Sequence, residues 1–253
     1  MLPVFTSQFG EDVYVLNNYI NVHTPDGIFV ELGAMDGVTY SNTRFFEETL
    51  GFSGVLIEPT DQYEKLVLNR PKCKNVNLAV NYITEKSLFL GNGACGGLVE
   101  PMSENFKEKY HKDKDGYYVD CAPFGEILYN SQVPYIDLLS IDVEGGEQAV
   151  LETMDWGIPV FVIVIEMDGH NPEKDQKCRD ILLARGFTFD IRVNINEFWI
   201  NKNYARKDKL FNRGQLKLTF SNMYQHGQFP FIDMGHAYIH ELRDSLLLDR
   251  SVV

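Results

Sequence analysis

Acids and glycines recur in this chain where short apolar runs stop. The first such unit is Glu31-Leu32-Gly33-Ala34-Met35-Asp36-Gly37, closing the apolar run 28–34. A chain that must turn sharply and admit a ligand to its backbone needs glycine, which tolerates positive φ and has no Cβ. The second unit is Glu58, at the end of the run 54–58. An acid placed there can accept hydrogen bonds from both hydroxyls of a ribose. The pyrophosphate-cradling pattern G-x-G-x-x-G is absent, and with it the main argument for NAD or FAD. An acid-flanked glycine turn without a phosphate cradle suits a nucleoside whose positive charge sits at sulfur.

The third unit is Asp142-Val143-Glu144-Gly145-Gly146-Glu147, and the fourth is Glu166-Met167-Asp168-Gly169-His170. Carboxylates grouped this way can hold a substrate hydroxyl, act as a general base or bind a divalent cation. Asp142 and Glu166 directly follow apolar runs, which places them beside the reacting group. Glu144 and Glu147 have a simpler reading, as acids favoured near a helix N-terminus. His170 is a further candidate base, since the ordinary pKa of histidine lies near working pH. No metal site is assigned. If magnesium were used, Asp142, Glu166 and Asp168 would hold it.

The elements that must carry these units alternate. Strands are expected over 28–34, 54–58, 75–80, 137–143 and 160–167, separated by helical patterns. A helix from about Thr39–Asn42 to Leu50 stops at Gly51, and one from Asp61, with Glu64 as capping partner, ends before Pro71. Helices follow over 124–130, 147–156 and 171–185. A terminal strand pair covers 187–192 and 197–201. The middle is less regular: a glycine loop at 91–97, a charged and solvated stretch at 103–116, and a strand at 117–121. A helix is expected over 237–247. The consecutive strand ends carrying Glu31, Glu58, Asp142 and Glu166 fall on one sheet edge, where ligands bind in α/β folds.

In order along the chain, 7–12 (SQFGED), 31–43 (ELGAMDGVTYSNT), 54–59 (GVLIEP), 136–147 (IDLLSIDVEGGE) and 163–166 (IVIE) resemble the FkbM family of methyltransferases. Any one block is weak and the ordered set is specific. The resemblance spans roughly residues 7 to 203, loosely over 85–118, and leaves the C-terminal extension uncovered. It implies an α/β, Rossmann-like class I methyltransferase fold over residues 1–203. This would be a mostly parallel, doubly wound sheet with an antiparallel C-terminal strand, and residues 204–253 would form an extension packed on it. The implied donor is S-adenosylmethionine, on Glu31, Gly33, Ala34, Asp36, Gly37, Asn42, Glu58, Pro59, Ala79 and Asp142. Asp142, Glu166 and His170 are the implied catalytic residues. The implied acceptor is a hydroxyl of a sugar or a glycosylated small molecule. Tyr110, Tyr117 and Tyr118 of the middle segment are candidates to stack on it, and the loop 91–97 is expected on the acceptor side.

Composition narrows the partners. The formal charge of −13 repels a nucleic-acid backbone on average. No apolar run is long enough to span a bilayer. Met1–Gly10 lacks the layout of a secretory signal. Four widely spaced cysteines read as reduced thiols, so a cytoplasmic setting is expected. The alternatives are a small natural product as acceptor, or a non-catalytic module binding a glycan or partner on the same fold.

Overall fold

A computed structural model describes residues 5–20 and 24–207; the expected helix at 237–247 lies outside them, as does nearly all of the expected extension. Five mostly buried strands and an exposed edge strand, β10, build the frame: β1 (Ile28–Leu32), β2 (Ser53–Ile57), β8 (Ile136–Ile141), β9 (Val160–Glu166), β10 (Thr188–Val193) and β11 (Asn196–Ile200). With the short β3 (Lys74–Val76) they form one sheet in the order β10-β11-β9-β8-β1-β2-β3. β3, β2, β1, β8 and β9 run parallel to one another. The sheet closes with β11, antiparallel to both β9 and β10.

The near-continuous apolar runs of β8 and β9 follow from burial on both faces. On one face, Val30, Leu139, Ile163 and Ile165 pack with α5 (Phe124–Asn130), α6 (Glu147–Thr153) and α7 (Pro172–Ala184). On the other, Phe29, Leu138 and Val164 pack with α1 (Glu11–Asn18), α2 (Arg44–Glu48) and α3 (Gln62–Asn69). The result is three layers with helices on both sides of the sheet. Main-body packing continues past Asn203: Tyr204 stacks on Phe161 at 5.3 Å and donates to Asp137 at 2.8 Å.

Three local expectations change. The single strand at 75–80 is two, because β3 belongs to the main sheet while β4 (Ala79–Val80) pairs with β7 (Tyr117–Ala122). Asn77, between them, donates to the Glu58 carbonyl at 2.8 Å and fixes the crossing. The helix expected from Thr39–Asn42 begins only at Arg44: Thr43 gives its hydroxyl to Glu31 instead of capping, while Ser41 donates to Glu31 and its Oγ accepts from Thr43 N and Arg44 N (3.3 and 3.2 Å). Asp61 makes no side-chain cap on α3 and accepts from Asn92 at 2.7 Å.

The middle segment is structured. β5 (Lys86–Leu90) and β6 (Gly97–Leu98) join β4 and β7 in a second sheet, ordered β4-β7-β5-β6. The charged stretch contains α4 (Glu104–Tyr110), capped by Ser103, which accepts from Phe106 N at 3.2 Å. One buried aromatic, Phe106, anchors this otherwise polar helix.

Candidate active site

At the end of β1 the chain turns at Gly33, where φ is +75°. A Cβ there would stand 1.9 Å from the carbonyl oxygen of Asp142. Only glycine lets the β1 turn and the β8 loop touch, so the first and third acid units meet through a missing side chain. Glu31 is buried and accepts from Ser41 Oγ (2.8 Å), Asn42 N (2.6 Å) and Thr43 Oγ1 (2.6 Å). It ties the loop after the turn back to the strand.

Glu58 accepts from Met35 N and from Thr60 N and Oγ1 (2.9, 2.9 and 2.5 Å). Burial pushes its pKa up. An ionised carboxylate offers about four acceptor positions, so three donors leave capacity for a ligand hydroxyl. The backbone crossing from β3 to β4 then brings Leu78, Ala79 and Val80 beside it.

Glu31, Gly33, Asn42, Glu58, Pro59, Ala79 and Asp142 all line one cavity of about 390 Å³, as do Glu166, Asp168 and His170. Ala34, Asp36 and Gly37 do not. Ala34 is buried in the core. The Asp36 carboxylate folds back on Val38 N and Thr39 (2.7–2.9 Å), which holds its pKa low against the opposing effect of burial. Gly37 faces Arg70 and Leu66. The turn leaves the cavity after Met35, which lines it.

Asp142, Glu144 and Glu166 converge, with one carboxylate oxygen of each within 4.8 Å of the others. Removal from water and repulsion from neighbouring carboxylates disfavour ionisation, the repulsion coming chiefly from Glu147 at Asp142 and from Asp142 at Glu144 and Glu166. They push Asp142 up to about 7 and Glu144 up to about 9, and hold Glu166 well above the carboxylate range. Glu144 thus belongs to the acid group rather than to a helix cap. Asp168, which would join Asp142 and Glu166 only if magnesium were used, stands outside this trio. Its Oδ2 lies 2.6 Å from His170 Nδ1, and its Oδ1 accepts from His170 N at 2.8 Å. Glu147 is fully buried, ion-paired with Lys174 at 2.5 Å, and accepts from Val143 N and Gly145 N (3.3 and 3.1 Å). It braces the acid loop from behind.

The far wall is α4. Phe106 and Tyr110 line the cavity, and the His170 ring meets Phe106 edge-on at 5.2 Å. Tyr117 and Tyr118 do not line it: Tyr118 is exposed, and Tyr117 donates to the Gly91 carbonyl at 2.9 Å. The loop 91–97 contributes Gly93 through Gly96 to the lining. It is tied to the neighbourhood of Glu58 by Asn92, which donates to Asp61 and accepts from Gln62 at 3.2 Å, and to α4 by His111, which meets the Cys95 carbonyl at 2.7 Å. The loop therefore spans both ends of the cavity rather than the acceptor side alone. Sequence reading missed Met35, Phe89 and Phe106 in the lining, because apolar residues at such positions look like ordinary core.

The model of the methyltransferase FkbM domain matches residues 31–189. The chain belongs to the FkbM methyltransferase family. The resemblance read from its ordered motifs is borne out, and residues 31–189 are a domain that takes its methyl group from S-adenosylmethionine. No curated protein matches the chain. Among solved structures, an FkbM methyltransferase from Methylobacillus flagellatus KT is 14% identical, with TM-score 0.40, covering 69% of this chain and 43% of its own. The chain thus spans less than half the length of that relative. Fibrillarin from Aeropyrum pernix, with S-adenosylmethionine bound, is 16% identical with TM-score 0.40, covering 77% of this chain and 73% of its own. TrmK from M. capricolum, with S-adenosylhomocysteine, is 9% identical with TM-score 0.39, covering 79% and 70% respectively. Among the described residues, no helix is long and apolar enough to cross a membrane.

Proposed function

We propose that the FkbM protein is an O-methyltransferase that methylates a hydroxyl of a sugar or glycan, on a Rossmann-like fold of the class I methyltransferase type. The strand order and the antiparallel β11 support the fold reading. One observation carries the functional reading: a single cavity is lined at once by the glycine turn with Glu58 and by Asp142, Glu166 and His170.

The residues present fit the donor. Glu58 has acceptor capacity for the ribose hydroxyls, and Leu78, Val80, Phe89 and Leu98 supply apolar walls for a base. Asn42 adds a buried carbonyl oxygen, Oδ1, that has no hydrogen-bond partner. The acids suit a cationic sulfur. Bound there, S-adenosylmethionine supplies an electrophilic methyl group.

The chain's own residues then position the acceptor and manage its proton. Close, in-line placement supplies much of the rate in such displacements. Asp142 and Glu166 hold the acceptor hydroxyl at the reacting centre, and Tyr110 and Phe106 offer faces to a sugar ring. A neutral alcohol must also lose its proton as the new bond forms.

The test is a screen with methyl-labelled donor against nucleotide sugars, free oligosaccharides, small phenols, peptides and RNA. Label confined to sugar hydroxyls is expected. Label confined to peptide or RNA would overturn the acceptor reading while leaving the donor reading intact.

A further inference from the structure

The reaction needs a group to receive the acceptor's proton, and the fourth acid unit contains a pair built for it. We propose that Nε2 of His170 takes that proton and that Asp168 is its positioning residue. This rests on the proposed O-methyl transfer. In the step, the hydroxyl O–H bond breaks as N–H forms at Nε2. The oxygen gains the methyl carbon, and the electrons of the broken carbon–sulfur bond return to sulfur.

Several contacts fix the ring. Asp168 grips His170 twice, at the backbone N–H (2.8 Å) and at Nδ1 (2.6 Å). The turn between them is held by Asp175, whose Oδ2 accepts from Gly169 N at 3.1 Å. The ring edge is set by Phe106 at 5.2 Å and Tyr110 at 6.3 Å, both on α4. A carboxylate accepts only, so Nδ1 must carry the hydrogen of that short contact, and the lone pair is left on Nε2. The imidazolium formed by proton uptake is then stabilised by the same carboxylate, the arrangement by which an acid orients a histidine base. His170 lines the cavity and its side chain is 29% exposed, against 13% for Asp168. The outer group therefore faces the acceptor and the inner one braces it.

Asp142, Glu144 and Glu166 fill a different place. They crowd one another, so protons are shared among them, and they lie where a cationic donor would favour their ionised forms. They are suited to hold the hydroxyl and the sulfonium. His170 stands outside that trio.

The test reads the tautomer directly. In 15N-labelled protein, the His170 ring is assigned by comparison with His170→Gln or through backbone correlations. A neutral ring with hydrogen on Nδ1 and a bare Nε2 is expected, and the Nδ1–H population should fall in Asp168→Ala. With a sugar acceptor from the screen, Asp168→Ala should lower kcat about 10-fold or more and His170→Gln about 100-fold. Donor Kd and acceptor KM should stay within roughly 2-fold, since a base acts in the transition state alone. A wild-type ring protonated at Nε2, or a folded His170→Gln enzyme with wild-type kcat, would overturn the inference. A wild-type protein that methylates no hydroxyl would refute the proposed function first; the tautomer alone refutes only the dyad.

Discussion

Replacing Gly33 by alanine tests the join between the donor turn and the acid loop. The new Cβ would stand 1.9 Å from the Asp142 carbonyl oxygen and 3.1 Å from its carbon, both backbone atoms that cannot rotate away. Residue 33 also sits at φ +75°, where an L side chain costs about 1–2 kcal/mol. Forcing an extra methyl into a packed site adds about 1–3 kcal/mol, for a total of roughly 2–5 kcal/mol. At about 2–4 °C per kcal/mol for a chain of this size, Tm should fall by roughly 4–20 °C. Gly51 supplies the control: it has the same φ of +75° but nothing within 4 Å of a Cβ, so Gly51→Ala should lose only the conformational part. Thermal unfolding of the two variants isolates the contact, and calorimetry with S-adenosylmethionine should show weaker donor binding in Gly33→Ala alone. Equal destabilisation of both variants, with equal donor affinity, would refute the proposed close approach.

Glu58→Ala should weaken donor binding by about 1.5–3 kcal/mol for each ribose hydrogen bond lost; unchanged affinity by calorimetry would rule out the ribose assignment. Asp142→Asn should retain the fold and most donor affinity while kcat drops, and a steady-state assay giving wild-type turnover would exclude its part in the chemical step. Lys174→Met leaves the fully buried Glu147 carboxylate without its cation and should cost about 3–5 kcal/mol in denaturant unfolding. Donor-free stability should fall as pH rises. Asp142 and Glu144 bind protons more tightly folded than unfolded, so their contribution is full below about pH 4, and is lost towards pH 7 for Asp142 and pH 9 for Glu144. Tm measured from pH 5 to 9 checks this, and Asp142→Asn with Glu144→Gln should flatten the slope.

The strands that carry the site were legible because burial on both faces leaves a near-continuous apolar run that stops where the acid begins, as at Ile141–Asp142 and Ile165–Glu166. The glycine turn was legible for the same reason of position. What sequence could not show was which acids turn inward. Asp36 looks like Glu58 in a string of letters, yet it is spent on its own turn at Thr39. Glu144 reads as a helix cap until the loop, with φ of +53° at that residue, carries it to Asp142 and Glu166. The run 75–80 carries no sign that it divides between two sheets, because pairing partners distant in sequence decide that. α4 was hidden by its charge: with Phe106 its single buried residue, its helical pattern has almost no apolar stripe to detect.

The most direct measurement is a calorimetric titration of S-adenosylhomocysteine into the purified protein, followed by competition with NADH. The cavity behind Gly33 and Glu58 predicts one saturable site per chain that NADH fails to displace. Absence of saturable binding in a folded protein, or displacement by NADH, would contradict the assignment of this cavity to a sulfonium nucleoside.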